Sequence, residues 1–186
     1  MSTIKNRKSM FPGVKDGETF TVAGIEFIKF PSVNGQTPVV ASDILFRSTF
    51  GDNNDIRKSD VMKKMEAEYL PKIIEAIGEE NLRTIKTDLT TLDGLKIYGT
   101  MESRISLPTM DFYRENIEIF DKHNPGTWWW LATPESAQPH SDPWWILCVS
   151  PPGVISNDYY NNNGGGVRPF CIFDSSIFES CEEVNG

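Results

Sequence analysis

The sequence predicts an α+β fold with a twisted antiparallel sheet, two helices and a loop-rich C-terminal lobe. Three observations support this prediction. Apolar residues alternate with the period of two that is typical of strands over residues 18–46. They recur at helical spacing over 59–77 and 109–121, and no helical period survives after residue 126.

Composition and charge set the domain bounds and exclude two classes of protein. The chain has 186 residues, of which 39% are hydrophobic, and this supports one domain with a core. We expect a loose N-terminal arm over residues 1–17, a single domain over 18–178 and an acidic tail over 179–186. The net charge of −8 disfavours a nucleic-acid partner, which needs clustered Lys and Arg. Since no signal peptide and no membrane-spanning run is visible, we expect no membrane insertion.

Turn signals divide the N-terminal part of the domain into strands. Residues 20–30 form two predicted strands around a turn at Gly24. Asn34-Gly35 is a hairpin signal, because both residue types tolerate positive φ. The apolar residues between Val39 and Phe46 continue the sheet, and a polar loop over 50–55 follows it.

Two helices are predicted downstream of this sheet. Ser59-Asp60 caps the first helix, Pro71 kinks or breaks it, and Gly78 ends it. A short strand is expected at 105–108, and Thr109 then caps the second helix. Apolar side chains at helical spacing form the inner faces, which are Val61, Met62, Met65, Tyr69, Ile73, Ile74 and Ile77 in the first helix and Phe112, Tyr113, Ile117 and Phe120 in the second.

The stretch from Trp128 to Pro169 combines aromatic residues with short polar ones, which is the chemistry of a recognition surface. In a strand, Trp128 and Trp130 share one face and Trp129 takes the other, so at least one of them belongs to the core. Trp144-Trp145 is expected to divide in the same way. The alternative that every tryptophan lies in the core stays open.

The sequence offers little support for catalysis or metal binding. Neither His123 nor His140 has a ligand partner at the spacing that a zinc site needs, and no nucleophile motif is present. Asn157, Asp158 and the asparagines at 161–163 are rich in oxygen, so calcium stays an alternative to turn formation. We therefore predict no catalytic residue, no metal and no cofactor.

Several residues near the C-terminus are expected to serve the fold. Cys148, Cys171 and Cys181 are interpreted as buried reduced thiols, with a Cys148–Cys171 bridge left open. Arg168 has apolar neighbours, which predicts a structural ion pair or a clamp on the backbone. Gly166 lies in a run that allows close backbone approach.

Short motifs in the chain resemble those of one protein family. Trp129 to Pro134 resembles the family motif WWLRSP, Cys148 to Val154 resembles its xVNxxGxV element, and Gly166 to Pro169 resembles the closing GVRPA. Upstream, Ser59 to Leu70 resembles a helix with the pattern SxIRxWLNxxFL. Arg104 to Phe112 resembles the FLLSxxE joint between a strand and a helix.

This family is a domain of uncharacterised function that is frequent in gut bacteria and their phages. It resembles the C-type lectin fold and its relatives, the formylglycine-generating enzymes. The resemblance covers most of Phe20 to Phe173 and departs at Ala132, where the family has Arg, and at Phe170, where it has Ala. It implies a C-type-lectin-like fold and assigns a structural role to the motif residues Trp129, Trp130, Gly166 and Arg168.

Several such domains resemble the variable proteins of diversity-generating retroelements. Those systems mutate adenines, often in AAC or AAT codons, which cannot become Lys, Glu, Gln, Met or Trp. From Pro139 to Phe178 the chain contains no Lys, Glu, Gln or Met, and Trp144 and Trp145 would then be fixed scaffold. The pattern favours a diversified segment, although strands and loops also carry few long polar residues in general.

The resemblance predicts a binding protein that performs no chemistry. Its expected partner is a protein or glycan on a host or target cell surface, and the protein itself is expected on a virion, as a phage or virus receptor-binding protein, or on a cell surface as an adhesin. The predicted ligand-binding residues are Ser156, Asn157, Asp158, Tyr159, Tyr160 and Asn161 at the centre, with Ala132, Thr133, His140 and Asp142 beside them. The alternatives are a formylglycine-generating type of enzyme, whose cysteine motif does not match here by position, and a structural virion domain without a ligand. The oligomeric state is left open.

Overall fold

The structure is a computed structural model that describes residues 9–180. Within this range the chain combines eleven strands with four α-helices, so the predicted α+β class is confirmed. The strands are β1 (Thr19–Val22), β2 (Ile25–Lys29), β3 (Gln36–Ala41), β4 (Phe46–Arg47), β5 (Ile85–Asp88), β6 (Thr100–Ser103), β7 (Trp129–Pro134), β8 (Trp145–Val149), β9 (Ile155–Tyr159), β10 (Gly166–Val167) and β11 (Phe170–Asp174).

The strands belong to three sheets, whereas the sequence predicts one antiparallel sheet. The first sheet has the order β1-β2-β3-β11, the second has the order β4-β10-β7-β8-β9, and the third pairs β5 with β6. All neighbouring strands in this range run antiparallel except β10 and β7, which are parallel. The turn signals identify local hairpins correctly, but they carry no information about β11 returning to β3 across most of the chain.

Both predicted N-terminal turns are confirmed as two-residue hairpin turns. Ala23 and Gly24 have φ of 52° and 76°, and Asn34 and Gly35 have φ of 51° and 73°. Positive φ at both central residues gives a turn whose twist matches that of the flanking strands. The turn at Ala23 therefore sets the pairing of β1 with β2, in which Val22 lies opposite Ile25.

The first predicted helix is one continuous helical run made of α1 (Asp60–Lys64), a π-helical segment (Met65–Tyr69) and α2 (Leu70–Ile77). Ser59 caps it by accepting a hydrogen bond from the Met62 N–H at 3.0 Å. Pro71 lies in the first turn of α2, and the π-helical segment precedes it, with the Leu70 N–H donating to the Met65 carbonyl. Pro71 has no N–H to donate, but the wider π-helical turn before it allows the helix to continue without a break. Gly78, with φ of 85°, ends the helix as predicted.

The second predicted helix is divided into α3 (Met110–Glu115) and α4 (Ile117–Lys122). Thr109 caps α3 as predicted, because its hydroxyl accepts from the Phe112 N–H at 3.1 Å. Asn116 separates the two helices with a non-helical φ of −121°. This break rotates α4 relative to α3, so Ile117 is exposed and its predicted place on the inner face is wrong. No helix among residues 9–180 combines the length and the apolar composition needed to cross a membrane.

Two further predicted segments differ from the structure. The expected strand at 105–108 is absent, and Ser106 instead makes a single bridge to Phe170. The predicted polar loop over 50–55 is buried in part, since Phe50, Asn54 and Asp55 are almost inaccessible. Asn54 donates to the carbonyls of Ser136 and Trp145 at 2.8 and 2.9 Å, so this loop fastens the C-terminal lobe to the domain.

Residues 9–17, which belong to the predicted loose arm, pack against the domain. The Phe11 N–H donates to the Ile177 carbonyl at 2.8 Å, and the Phe11 ring lies 4.9 Å from the Phe20 ring. An apolar side chain therefore anchors a segment whose polar composition predicts mobility. The rest of the arm, Cys181 and most of the predicted acidic tail lie outside the described residues.

Apolar side chains fill both sides of the second sheet. Trp130, Ile146 and Cys148 contribute to one core cluster, which also holds the inner face of the first helix. Trp129 and Leu131 contribute to the other cluster, which also holds the buried side of α3 and α4. Strand β7 is therefore covered on both faces, and this decides which tryptophans reach the surface.

Candidate functional site

The five tryptophans divide between core and surface according to their strand, not according to alternation alone. Trp129 and Trp130 are each 1% exposed, because both faces of β7 are covered. Trp128, which precedes β7, is 41% exposed. Trp144 and Trp145 are 46% and 38% exposed, so the predicted division of this pair is wrong. Trp144 directly precedes β8 and Trp145 is its first residue, at the end of the strand that extends past the core.

Two exposed residues, Trp144 and Trp145, and two half-buried ones, Tyr159 and Tyr160, form a group that we name the aromatic cluster. Tyr159 lies directly opposite Trp145 across β8 and β9, and their ring centroids are 5.4 Å apart with an edge-to-face orientation. The Trp144 ring is 6.0 Å from Tyr159, and Tyr160 stacks on Tyr159 at 4.7 Å. Such aromatic pairs add packing energy beyond their buried area, so the rings support one another at the surface.

The predicted centre at 156–161 does not form a single face. In the register of β8 and β9, Ser156 and Asp158 lie opposite Cys148 and Ile146, on the side of the core cluster that contains Trp130. Asn157 and Tyr159 point to the other side, with Trp145 and Leu147. Asn161 follows the strand and is exposed. Asn157 and Tyr159 are therefore the part of the predicted centre that β9 brings together on one face, and Trp145, which the sequence does not assign to the site, joins them there.

The polar residues around the end of β9 satisfy turn geometry. Asp158 accepts hydrogen bonds from the Tyr159 N–H at 2.7 Å and from the Asn162 side chain at 2.8 Å. Asn162 in turn accepts from the Gly164 N–H at 2.9 Å. Among residues 9–180, no three His, Cys, Asp or Glu side chains are grouped as metal ligands. The hydrogen bonds thus support turn formation as the role of these oxygen-rich residues.

His140 and Asp142 lie in the loop before β8, at the margin of the cluster. His140 Nδ1 is 3.0 Å from Asp93, which also accepts from the Ser136 hydroxyl at 2.6 Å. Hydrogen bonds from the Ser136 and Thr91 hydroxyls, followed by the contact with His140, hold the pKa of Asp93 well below its usual range. Asp142 accepts from Gln138 at 2.7 Å. The loop is therefore fastened by hydrogen bonds between side chains.

Two carboxylates, those of Glu135 and Asp142, lie beside the aromatic cluster. Partial burial, followed by the neighbouring Tyr160 and the charge of Asp142, raises the pKa of the Tyr159 hydroxyl. Asn157 donates to the Glu135 carboxylate beside it. Tyr159 therefore presents a neutral phenol at physiological pH, which can donate and accept hydrogen bonds.

Ala132 and Thr133 are buried in β7, so their prediction as surface residues is wrong. The Ala132 N–H donates to the Pro108 carbonyl at 2.9 Å, and the Thr133 hydroxyl accepts from the Met110 N–H at 2.9 Å. Because β7 lies inside the second sheet with both faces covered, neither residue has access to the aromatic cluster. The prediction treats both residues as part of a loop that follows an anchored strand ending at Leu131, whereas β7 continues to Pro134 and includes them.

Arg168 is fully buried and clamps the backbone. Its Nε donates to the Ala41 carbonyl at 2.9 Å, and its Nη2 donates to the Ser42 and His123 carbonyls at 3.1 and 3.3 Å. The guanidinium lies 4.7 Å from the centre of the Trp129 ring, which favours a cation–π contact. No carboxylate within residues 9–180 forms an ion pair with it, so the clamp replaces the predicted alternative of an ion pair. Burial lowers the pKa of Arg168 to about 10, which leaves it charged at neutral pH.

Two glycines near Arg168 allow close packing. A Cβ at Gly165 would lie 2.0 Å from the Trp130 ring. A Cβ at Gly166 would lie 2.5 Å from Ile44 and 2.8 Å from the Trp128 carbonyl oxygen. The Gly-rich run therefore fits tightly against β7, as the prediction of close backbone approach requires.

Cys148 and Cys171 are free, buried thiols, so the alternative of a bridge between them is excluded. Burial, with a smaller effect from Asp158, raises the pKa of Cys148 to about 12. Burial raises the pKa of Cys171 as well. Neither thiol is therefore a ready nucleophile, since the thiolate is the reactive form.

The sequence predicts that one residue of the Trp144-Trp145 pair is exposed, but it predicts neither that both are exposed nor the supporting roles of Asn54 and Asp93. Pro143 favours extended backbone at Asp142, but no local feature of the sequence marks both tryptophans as exposed. Comparison with known proteins does not add to this geometry, because no protein-family model, no curated protein and no solved structure matches the chain.

Proposed function

We propose that this chain is a ligand-binding protein of C-type-lectin-like fold, and that the aromatic cluster with the adjacent residues of β9 is its recognition surface. Its partner is a protein or glycan on the surface of a host or target cell. The observation that carries this proposal is a group of four aromatic rings at the edge of a sheet, of which Trp144 and Trp145 are exposed and Tyr159 and Tyr160 are half-buried. Aromatic side chains packed at the surface among asparagines are characteristic of binding sites.

The scaffold under the cluster suits a surface whose side chains vary. Trp145 and Tyr159 lie on paired strands, so their backbone is fixed, while Asn157 and Asn161 are exposed and lie outside the core. Changes at such positions cost little stability. This arrangement supports diversification of the segment by a retroelement, and with it a place on a virion or cell surface. A reverse transcriptase gene beside a near-copy of the coding segment for Trp128 to Phe173 is the expected genomic context.

The packing of the motif residues supports the proposal of a C-type-lectin-like fold. Trp129 and Gly166 lie opposite each other in the parallel pair of β7 and β10, and Arg168 stacks on Trp129. Gly165 fits against Trp130. One structural unit thus accounts for the WW and GVRP motifs together, which supports a common scaffold role for them.

The state of the described cysteines favours binding over the enzyme alternative. An enzyme of the formylglycine-generating type needs an accessible, reactive cysteine pair. Cys148 and Cys171 are buried in two different sheets, and burial holds both thiols in the protonated form. The function proposed here therefore includes no catalytic step.

Binding assays on single variants test this proposal. Full-length protein is assayed on glycan arrays and on intact cells of candidate hosts, and the interactions found are then measured for Trp145→Ala and Tyr159→Ala. We expect each variant to lose binding by at least tenfold, because truncating a central aromatic anchor costs about 2 kcal/mol or more. Trp128→Ala is the matched control, since Trp128 is exposed but lies outside the cluster. Equal loss in all three variants, or unchanged binding in the cluster variants, contradicts the proposal.

A further inference from the structure

A second concave site lies beside β5 and shares no residue with the aromatic cluster. It is a cavity of about 300 Å³, within the range of roughly 300–1,000 Å³ typical of ligand pockets. Its apolar lining comes from Ile85, Leu107, Met110, Phe112, Phe170 and Ile172. None of these residues has a role in the recognition surface, so the cavity requires its own explanation.

The cavity lies along the edge of β5 that is not paired with β6. All four residues of β5, Ile85–Asp88, line it. Side chains alternate between the two faces of a strand, so four consecutive residues reach one cavity through their common backbone edge. Strand β6 occupies the opposite edge of β5. The cavity therefore borders a free strand edge.

The pairing register identifies the backbone groups that face the cavity. The Leu89 N–H donates to the Gly99 carbonyl at 3.0 Å, and Thr87 lies opposite Met101 two positions further along the ladder. Hydrogen-bonded pairs alternate in an antiparallel ladder, so Thr87 bonds β6 while Lys86 and Asp88 direct their N–H and C=O groups away from it. No hydrogen bond from residues 9–180 outside the ladder reaches these four groups. Unpaired groups on a strand edge are a template for a further strand.

The side chains of β5 add a charge pattern to this edge. Lys86 and Asp88 are exposed on one face, whereas Ile85 and Thr87 are buried on the other. Neither Lys86 nor Asp88 takes part in an ion pair within the described part of the chain. An added strand with one acidic and one basic residue two positions apart would match both charges, because opposite charges directly across a ladder attract.

We infer that this cavity binds an extended segment of a partner protein, which adds to β5 as a strand. The backbone of the segment pairs with Lys86 and Asp88, and its charged side chains lie beside theirs. The residue between these charges turns an aromatic or branched apolar side chain into the cavity, against Leu107, Phe112 and Phe170. In this mode of recognition, backbone hydrogen bonds provide affinity and the side-chain pocket provides specificity.

Two synthetic peptides, acetyl-Thr-Glu-Phe-Lys-Thr-amide and acetyl-Thr-Lys-Phe-Glu-Thr-amide, test both strand directions. Amide hydrogen exchange of the full chain is followed by NMR with each peptide at millimolar concentration. We expect one peptide to slow the exchange of the Lys86 and Asp88 amides by at least tenfold. The Thr87 amide is an internal reference, because the ladder already protects it. Replacing Phe by Asn in the peptide, or N-methylating its Glu and Lys, is expected to abolish the effect.

Substitution of Lys86 separates strand addition from simple apolar binding. Lys86→Pro removes an N–H that faces the cavity but takes no part in the ladder with β6, so the hairpin is retained and peptide binding is lost. Lys86→Ala, the matched control, keeps the N–H and is expected to retain binding with only a few-fold loss, because a solvent-exposed charge pair contributes little. If Lys86→Pro fails to fold, the exchange of Asp88 in the parent chain still decides the question. Binding without protection of Lys86 and Asp88, or no binding by either peptide, overturns the inference.

Discussion

At the scale of single residues, Arg168 explains why a cation can be buried without a carboxylate. Its planar guanidinium donates to the carbonyls of Ala41, Ser42 and His123, and its face lies on Trp129. These three acceptors belong to two segments far apart in sequence, so the side chain joins the end of β3 to the end of α4. A lysine has neither the fork geometry nor the planar face for this role.

Arg168→Ala is expected to lower the free energy of unfolding by about 3–5 kcal/mol, because it leaves buried carbonyls without a donor. Arg168→Lys should recover only part of this loss. Urea denaturation measures both variants. Arg47→Ala is the control, since Arg47 is exposed and also donates to a backbone carbonyl, and it should change stability by only about 0.5 kcal/mol. A stable Arg168→Ala variant that no longer binds its partner would instead make Arg168 a ligand residue.

Neighbouring glycines give a second prediction at this scale. Gly165→Ala would place a methyl group 2.0 Å from the Trp130 ring, so we expect a loss of at least about 2 kcal/mol from overpacking. Gly164→Ala serves as the comparison, since a Cβ there would meet only the Asn162 side chain, at 3.2 Å. Thermal unfolding distinguishes the two variants. Equal melting temperatures would show that β7 can move away from the Gly-rich run.

At the scale of elements, the covered faces of β7 and the exposed end of β8 decide what the C-terminal lobe can do. Strand β7 supplies Trp129 and Trp130 to two cores. Strand β8 begins outside the core, so Trp145 reaches the surface while Cys148 is buried further along the same strand. The loop around Asn54 holds the entry to β8 by donating to the Trp145 carbonyl. This hydrogen bond and the packing of β8 on the core hold the backbone of Trp145 in place, and so they fix the arrangement of the aromatic cluster at the surface.

The burial of β8 also predicts a pH effect. Folding raises the pKa of Cys148 from its usual 9.0 to about 12, mainly through burial. The folded state therefore holds the thiol proton more tightly than the unfolded state, and this contribution to stability is complete below pH 9 and is lost as the pH rises toward 12. Urea unfolding at pH 7.5 and pH 10 should show a smaller decrease in stability for Cys148→Val than for the parent. An identical decrease in both proteins would contradict the assignment.

At the scale of the whole molecule, two possible interaction sites lie on separate strand edges. The aromatic cluster uses β9 at the edge of the second sheet, and the cavity uses β5 at the edge of the third. Both edges are short, which limits uncontrolled association through exposed strands. The two sites can therefore be tested separately by variants of Tyr159 and Lys86.

A library over Asn157, Tyr159 and Asn161 tests the display of a variable surface. Asn157 and Asn161 are exposed, so we expect single changes there to alter stability by only about 0.5 kcal/mol while ligand preference changes. Changes at Tyr159, which is half-buried and contacts three aromatic rings, should cost more stability. Asp158 should tolerate substitution less well, at about 1 kcal/mol, because it accepts two hydrogen bonds in the turn. Melting temperatures and binding are measured for each member. Widespread unfolding, or identical binding by all members, would make this segment merely structural.

The sequence by itself determined the features that depend on neighbouring residues. The turns at Ala23-Gly24 and Asn34-Gly35, the caps at Ser59 and Thr109 and the helix end at Gly78 follow from local backbone preferences. The chemistry of the recognition segment was also visible, because aromatic and asparagine residues are concentrated there.

Only the tertiary structure decided which of these residues reach the surface. Alternation within a strand cannot reveal that β7 is covered on both faces or that β8 begins beyond the core. Thr133 is therefore buried against expectation, and both Trp144 and Trp145 are exposed although one of them was expected in the core. Arg168 donates to the carbonyls of Ser42 and His123, which lie 126 and 45 positions away in the sequence, and no local pattern encodes such pairings. The free edge of β5 is equally invisible in the sequence, because it depends on which neighbour each strand finds in the folded chain.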